Sequence, residues 1–172
     1  MTYSRPAVMG INCAHDAAAC LLVDGQLKVA IAEERLRRKK HYEYYPELAI
    51  KYCLEAAGLP DIHAVDCVVI NQYADADFTD RLELEGYRGT VICNPSHHLL
   101  HAYYAWVASG FEEAAVLVVD GSGYNYGEYL RRGSPLIGEP PAFTEMEESE
   151  SLFFARGGGF ELLDRSSALA RY

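Results

Sequence analysis

Short apolar runs, separated by strong turn signals, make up the first part of the chain. Ala7 to Asn12 and Ala17 to Val23 are two such runs, and the tight-turn dipeptide Asp24-Gly25 follows the second. Leu27 to Ala32 is a third run that begins directly after this turn. The pattern predicts three strands joined as an antiparallel meander.

One helix and three further strands are expected next. Pro46 to Ala57 has apolar residues at helical spacing, and Gly58 is a helix stop. Val65 to Ile70, Val91 to Cys93 and Ala114 to Val119 are apolar runs of strand length, which is typical of strands covered on both faces. Together with a histidine-rich helix before the last run, this order predicts an α/β fold with a mixed sheet flanked by helices.

Towards the end of the chain, apolar runs and turn signals alternate less regularly. Tyr124 to Leu130 is compatible with another strand, and Gly133 to Pro141 is a Gly/Pro-rich connection. The acidic run Glu145 to Glu150 is expected to lie on a solvated surface. The last residues before Tyr172 have the pattern of a helix still in progress, so we expect the chain to stop before its fold does.

Composition narrows the class of protein. The chain has 172 residues, half of them hydrophobic, which suffices for a packed domain. A formal net charge of −10 argues against nucleic-acid and anionic-membrane partners. Five cysteines without C-x-x-C spacing predict reduced, buried thiols. With no signal-peptide or membrane-span pattern, we expect a cytoplasmic protein.

A histidine-rich segment opens the second predicted helix. Asn94 or Ser96 can cap this helix and Gly110 can end it, which places His97 and His101 on one face. Two imidazoles from successive turns can converge on one metal ion, but catalytic zinc takes three protein ligands and structural zinc four. On these residues alone, half of a metal site and a helix with packed histidines both stay open, and ligand type does not choose between iron and zinc.

Two polar turns follow apolar strands. In the first, His15 and Asp16 could orient a cation or a water, although both residues are also common in ordinary turns. In the second, Asp120 comes after a buried strand and precedes a glycine turn, a place where α/β sheets bind ligands. An Asp-Gly hairpin turn is equally consistent with the second sequence.

A basic strip stands out in the acidic chain. The stretch from Glu33 to His41 holds five of the fifteen Lys and Arg residues. Such a strip can attract a phosphorylated substrate, while a solvated charged loop is the commoner explanation.

Five motifs in a fixed order carry a resemblance to a known family. They are Gly10-Ile11, His15 to Gly25, Ala32-Glu33-Glu34-Arg35 with Arg38-Lys39-Lys40-His41, His97 to Ala102, and Val119-Asp120-Gly121-Ser122-Gly123. In this order the chain resembles the O-carbamoyltransferases of the nodulation and antibiotic-tailoring type. The resemblance covers residues 7–123 well and the remainder weakly.

The resemblance implies a fold and a reaction. The fold is the first lobe of the sugar kinase, heat-shock ATPase and actin superfamily (ribonuclease H-like), in a version related to the tRNA threonylcarbamoyl transferases. In the family, carbamoyl phosphate and ATP give carbamoyladenylate, whose carbamoyl group passes to a hydroxyl of a small-molecule acceptor, as in antibiotic biosynthesis. A divalent metal, iron or zinc, lies beside the nucleotide.

The resemblance also implies roles for single residues. His97 and His101 would be metal ligands, and Asp120 would lie close to the metal or the phosphates. His15, with Asp16, would deprotonate or orient the acceptor hydroxyl. The residues expected to bind nucleotide or phosphate are Gly121, Ser122, Gly123, Arg38, Lys39 and Lys40.

Members of the family are several times longer than this chain. Residues 1–172 would therefore be an incomplete N-terminal lobe, inactive alone, whose second lobe and adenylate-forming domain act in cis or in trans. The missing lobe would supply the remaining metal carboxylate. Loops around Asp75 to Arg88 and Tyr124 to Arg132 are expected to recognise the acceptor. A non-catalytic nucleotide- or metal-binding lobe and a metallohydrolase using His97, His101 and Asp120 are the alternatives.

Overall fold

The structure, a computed structural model, divides the chain into two compact units. It describes residues 6–71, 78, 81–82, 86–94, 96–121, 123, 125 and 146–169. The N-terminal unit comprises Met1–Asn94, and the C-terminal unit comprises Pro95–Tyr172. The predicted strand Tyr124 to Leu130, apart from Asn125, the connection Gly133 to Pro141 and residue Ser122 lie outside the described residues.

The N-terminal unit contains a five-stranded mixed sheet. Its strands are β1 (Ala7–Asn12), β2 (Ala18–Val23), β3 (Gln26–Ala32), β4 (Cys67–Ile70) and β5 (Thr90–Cys93), in the order β3-β2-β1-β4-β5. β1, β2 and β3 pair antiparallel, whereas β4 and β5 join β1 in parallel. Asp24 and Gly25 both have positive φ, 57° and 70°, as a tight hairpin turn with the twist of the strands requires. The predicted meander is confirmed.

Helices α1 (Glu33–Arg37) and α2 (Glu47–Ala56) accompany this sheet, and a 3-10 turn (Ile62–Ala64) follows α2. α2 packs against β2 and β3 through Ala49, Ile50, Cys53 and Leu54, which meet Met9, Ile11 and Leu21 in the core. Gly58 (φ 69°) follows the last helical turn, as the predicted stop requires. The α/β class with a mixed sheet and flanking helices is confirmed.

A buried carboxylate joins the two helices. Glu33 has no exposed surface, and its Oε1 accepts from Arg37 Nε (2.6 Å) and from the Leu48 amide (3.2 Å). Its Oε2 accepts from the Ala49 amide at 2.7 Å. Because Pro46 provides no side-chain cap, Glu33 caps α2 from outside the helix. The strip from Glu33 to His41 is therefore not uniformly solvated.

In the described part of the C-terminal unit, a helix packs on an antiparallel sheet. The helix is α3 (His97–Ser109), and the strands are β6 (Glu113–Val119), β7 (Met146–Arg156) and β8 (Gly159–Leu169), in that order. Leu99 and Ala102 of α3 pack with Val116, Val118 and Phe153. As predicted, α3 ends at Gly110, which has a φ of 72°.

Three expectations for this region are wrong. β6 is covered on one face only, since Leu117 and Val119 are 64% and 65% exposed. The tail predicted as helical is strand β8 as far as Leu169, because the turn glycines Gly157 and Gly158 fold it back onto β7. The acidic run is not all surface, because Glu148 is buried within β7.

No helix in the described part of the chain combines the length and hydropathy that a membrane crossing needs.

Candidate functional site

Three predicted ligands meet at the start of α3. His97 and His101 project from successive turns of this helix, and Asp120 follows the last residue of β6. His97 Nε2 lies 2.7 Å from Asp120 Oδ2 and 3.2 Å from His101 Nε2. His101 Nε2 lies 3.8 Å from Asp120 Oδ2. A ligand atom from each of the three residues lies within 4.8 Å of the other two, close enough to surround a single ion.

The charges in this cluster suit a divalent metal. The hydrogen bond with His97 lowers the pKa of Asp120, which keeps the carboxylate ionised. Burial, followed by the neighbouring His97, lowers the pKa of His101, which favours the neutral imidazole that binds metals. Two imidazole nitrogens and a carboxylate oxygen form a donor set that iron, zinc and cobalt accept. The three residues therefore fit a metal ion.

His98 is the histidine of this segment that serves packing. Its side chain is fully buried, and its Nδ1 lies 2.8 Å from Ser151 Oγ on β7. Burial lowers the pKa of His98 to about 4, so this ring stays neutral. The packing interpretation, which the sequence left open for the whole segment, describes His98, whereas for the more exposed pair His97 and His101 the metal site stays a prediction.

A cavity adjoins the three-ligand cluster. It has a volume of about 420 Å³, and its lining includes His101, Tyr104, Leu117 and Asp120. The lining therefore combines two of the candidate ligands with aromatic and aliphatic side chains. This space could receive a small molecule beside a bound ion.

The second cluster lies in the N-terminal unit, in the turn that follows β1. His15 Nδ1 lies 3.0 Å from Asp16 Oδ2, and His41 Nδ1 lies 2.9 Å from Asp16 Oδ1. The hydrogen bonds with His15 and then His41 lower the pKa of Asp16, so this carboxylate is ionised between the two rings. All three side chains are at least half exposed, which leaves them accessible to a substrate.

An asparagine pair shapes this turn. Asn12 Nδ2 donates to the carbonyl oxygens of His15 (3.1 Å) and Asp16 (3.2 Å). Asn12 Oδ1 accepts from Asn71 Nδ2 at 2.6 Å, and Asn71 Oδ1 accepts from the Cys13 amide at 3.0 Å. Asp16 has a φ of 56°, a conformation that these bonds to the surrounding backbone help to hold.

Sequence reasoning missed the roles of His41, Asn12 and Asn71. His41 was expected only as the end of a basic strip, because it stands 25 residues from Asp16. The Tyr42 carbonyl accepts from the Ala17 amide at 2.8 Å, so the strip and the turn are joined through their backbones. Nothing in a single sequence signals this pairing.

The predicted phosphate-binding residues have different surroundings. Arg38, Lys39 and Lys40 are exposed and lead directly into His41. Lys39 Nζ lies 5.9 Å from the centre of the Tyr42 ring. Gly121 has open space around its Cα, and the Gly123 amide donates to the Glu148 carbonyl at 2.7 Å. Ser122 lies outside the described residues.

Comparisons with known proteins give the family. A family model described as the carbamoyltransferase N-terminus matches residues 7–87. The chain is also 34% identical to nodulation protein NolNO of Sinorhizobium fredii, over 80% of this chain and 24% of that protein. This chain belongs to the carbamoyltransferase family. Residues 7–87 of this chain, which the family model matches, include the cluster of His15, Asp16 and His41.

A second curated relative matches this chain over a similar share of its own length. The uncharacterized protein sll1178 of Synechocystis is 31% identical over 67% of this chain and 25% of that protein. This carbamoyltransferase-family chain therefore spans about a quarter of the length of these curated relatives. A crystal structure of an uncharacterized protein with similarity to peptidase YEAZ from Pseudomonas aeruginosa shares 14% identity and a TM-score of 0.46, covering 95% of this chain and 67% of that one. A likeness of that degree adds nothing to the assignment.

Proposed function

We propose that this chain takes part in the transfer of a carbamoyl group to a hydroxyl of a small-molecule acceptor. Carbamoyladenylate, formed from carbamoyl phosphate and ATP, would be the donor. The acceptor would be a hydroxylated compound in the biosynthesis of a natural product, and the reaction would take place in the cytoplasm. The single observation that carries the proposal is the His15, Asp16 and His41 cluster, which lies inside the residues that the carbamoyltransferase model matches.

The reaction requires a base, and the contact of His15 with Asp16 supports His15 as our candidate. If Nδ1–H of His15 donates to Asp16, the lone pair of Nε2 faces outward and can accept the proton of the acceptor hydroxyl. The hydroxyl oxygen then forms a bond to the carbamoyl carbon. The bond from that carbon to the AMP phosphate oxygen breaks, and AMP leaves with the electron pair. Asp16 stabilises the protonated ring.

The basic strip and the metal ligands would act on the donor. Arg38, Lys39 and Lys40 bring three positive charges next to the turn that carries His15, where they can attract the phosphate of carbamoyladenylate. A divalent ion held by His97, His101 and Asp120 would polarise an oxygen of the donor. Gly121, which has open space around it, would let the donor approach the backbone closely, whereas Gly123 packs against Glu148.

We further propose that residues 1–172 provide part of an N-terminal lobe and are inactive alone. The second lobe and the adenylate-forming domain would act in cis or in trans. This agrees with a chain that spans about a quarter of its curated relatives. A fourth ligand to the metal would come from the second lobe.

The direct test joins this chain to the missing regions. The complete protein, as one chain or as two co-purified parts, is supplied with carbamoyl phosphate, ATP and hydroxylated acceptors, and mass spectrometry measures the carbamoylated product. His15→Ala should reduce transfer at least about 100-fold. His63→Ala removes an exposed histidine of the 3-10 turn and should leave transfer unchanged. Absence of product with the complete protein refutes the proposal.

Metal analysis separately tests the cluster of His97, His101 and Asp120. We expect the chain to bind Co²⁺ or Zn²⁺, and His97→Ala or His101→Ala to lose that binding while His63→Ala retains it. A complete protein that binds metal and forms no product would favour the alternative of a non-catalytic nucleotide- or metal-binding lobe. Unchanged metal content in both ligand variants would refute the metal centre. The metallohydrolase alternative leaves the cluster around Asp16 without a role.

A further inference from the structure

One carboxylate holds two imidazole rings in the turn that follows β1. Asp16 Oδ2 lies 3.0 Å from His15 Nδ1, and Asp16 Oδ1 lies 2.9 Å from His41 Nδ1. An ionised carboxylate can only accept hydrogen bonds, so each Nδ1 carries the proton that it donates. The Nε2 atom of each ring then faces away from Asp16. His15 uses this atom as the base of the proposed reaction, whereas the reaction gives the Nε2 of His41 no task.

The charge of Asp16 allows the two rings to differ in protonation. One carboxylate balances the charge of one imidazolium, and a base such as His15 must be neutral before it accepts a proton. A protonated His41 beside Asp16 therefore leaves the cluster without net charge. In that state His41 donates to Asp16 through Nδ1 and presents Nε2–H outward as a positively charged donor.

Several contacts hold His41 in this place. Arg38 and His41 have φ of 60° and 52°, in the left-handed region that residues other than glycine adopt uncommonly. The Arg38 amide donates to the Glu34 carbonyl at 2.9 Å, and the His41 amide donates to Glu34 Oε2 at 3.2 Å. The Tyr42 carbonyl accepts from the Ala17 amide at 2.8 Å. Since such a backbone costs free energy, it persists only where surrounding contacts maintain it.

The surroundings of His41 suit an anion. The His41 side chain is 76% exposed, so a ligand can reach its Nε2. A phosphate group has a negative charge and oxygen acceptors, which a charged N–H and neighbouring cations bind. The titratable and charged groups around His41 are Asp16 and His15 in the turn after β1, Glu34 on α1, and Arg38, Lys39 and Lys40 in its own segment.

We propose that His41, protonated and held by Asp16, binds the phosphate of the carbamoyl donor through Nε2–H, while His15 acts on the acceptor hydroxyl. This inference rests on the proposed function. The proton of His41 stays on its ring throughout. As the bond from the carbamoyl carbon to the phosphate oxygen breaks, AMP leaves with the electron pair, and the hydrogen bond from His41 stabilises the charge on its phosphate. Asp16 thus joins a base and a phosphate ligand.

NMR titration of the 172-residue chain with AMP tests the phosphate site directly. AMP should shift the Nε2 resonance of His41 more than that of His15, and inorganic phosphate should do the same. His41→Asn removes the ring, but asparagine tolerates a positive φ, and AMP binding should weaken at least about fivefold. His63→Ala removes an exposed histidine from the same unit and should leave AMP binding unchanged.

The pH dependence of binding separates a charged ligand from a structural residue. Sulfate is the probe, because its charge stays constant between about pH 6 and about pH 9, the range in which a histidine loses its proton. Binding requires the protonated ring, so the affinity of the wild-type chain should fall as the pH rises through this range. His41→Asn should bind weakly and with a smaller fall. An affinity that His41→Asn lowers by the same factor at every pH overturns the role of the charge.

The outcomes distinguish this inference from the proposed function. If AMP leaves the His41 ring of the wild-type chain unshifted, the phosphate site is overturned, even where His41→Asn does not fold. The proposed function then stands if the complete protein forms carbamoylated product. If AMP binding depends on His41 and the complete protein forms no product, the phosphate site stands and the proposed function fails. In an active complete protein, His41→Asn should lower kcat/KM for transfer at least about tenfold.

Discussion

The strongest stability prediction concerns the buried carboxylate of Glu33. This residue has no exposed surface and accepts three hydrogen bonds, from the Arg37 guanidinium at 2.6 Å and from the Leu48 and Ala49 amides at 3.2 and 2.7 Å. Glu33→Ala leaves two amides at the start of α2 without their acceptor and separates Arg37 from its closest carboxylate. Arg37 then has only a 3.5 Å contact with the exposed Glu47 among its ion pairs in the described part of the chain.

The expected magnitude follows from these contacts. The two amide hydrogen bonds to this charged group contribute about 1.5–3 kcal/mol each, whereas Arg37, whose side chain is 31% exposed, can be solvated once its partner is gone. We therefore expect Glu33→Ala to lower the free energy of unfolding by about 3–5 kcal/mol. Glu33→Gln keeps one oxygen acceptor and should lose roughly half as much. Since domains are stable by about 5–15 kcal/mol, the Ala variant stands near the limit of folding.

Urea unfolding followed by far-UV circular dichroism measures this effect, and amide exchange of Leu48 and Ala49 shows where it arises. Glu55→Ala is the matched control, because Glu55 is 66% exposed and lies 3.8 Å from Lys51, a contact that should contribute about 0–1 kcal/mol. If Glu33→Ala costs less than about 1 kcal/mol with an unchanged urea dependence, Glu33 does not stabilise the start of α2 as a cap.

Three further predictions concern close contacts and a buried thiol. Gly10→Ala places a Cβ 2.8 Å from Cys20 Sγ and should destabilise the protein by about 1–3 kcal/mol. Adding Cys20→Ala to this variant should restore part of the loss in free energy of unfolding. If urea unfolding shows that the losses of the two substitutions simply add, the predicted clash is contradicted. Gly123→Ala should weaken Co²⁺ binding through its contact with Glu148, and unchanged affinity would argue against that contact. Burial raises the pKa of the Cys13 thiol from 9.0 to about 12. The unfolded chain therefore releases this proton at a lower pH than the folded protein does. The stability that Cys13 contributes is complete below pH 9 and falls by about 1.4 kcal/mol per pH unit as the pH rises to 12. In unfolding measurements from pH 8 to 10.5, the free energy of unfolding of Cys13→Ala should decline less steeply with pH than that of the wild type.

Much of the N-terminal unit could be predicted because its signals are local. The apolar runs that became β1 to β3, the Asp24-Gly25 turn and the Gly58 stop each depend on residues a few positions apart. The same holds for the four-residue spacing of His97 and His101, which a helix converts directly into proximity.

Features that depend on contacts between residues far apart in the sequence were not predicted. The tail that became β8 was expected to be helical, because its pairing with β7 through the Gly157-Gly158 turn outweighs a weak helical pattern. The acidic run containing Glu148 was expected on the surface, because no local signal shows that Arg165 will face it in the interior.

The sequence by itself determined the order of β1 to β6 with the helices α2 and α3, the family and the identity of the candidate ligands. Only the tertiary structure decided that His41 completes the cluster around Asp16, that Glu33 caps α2 from outside the helix, and that His98 packs while its neighbour His97 faces Asp120. The physical reason is range: hydrophobic period and turn chemistry act over a few residues, whereas a hydrogen bond or an ion pair depends on distances that the folded chain alone sets.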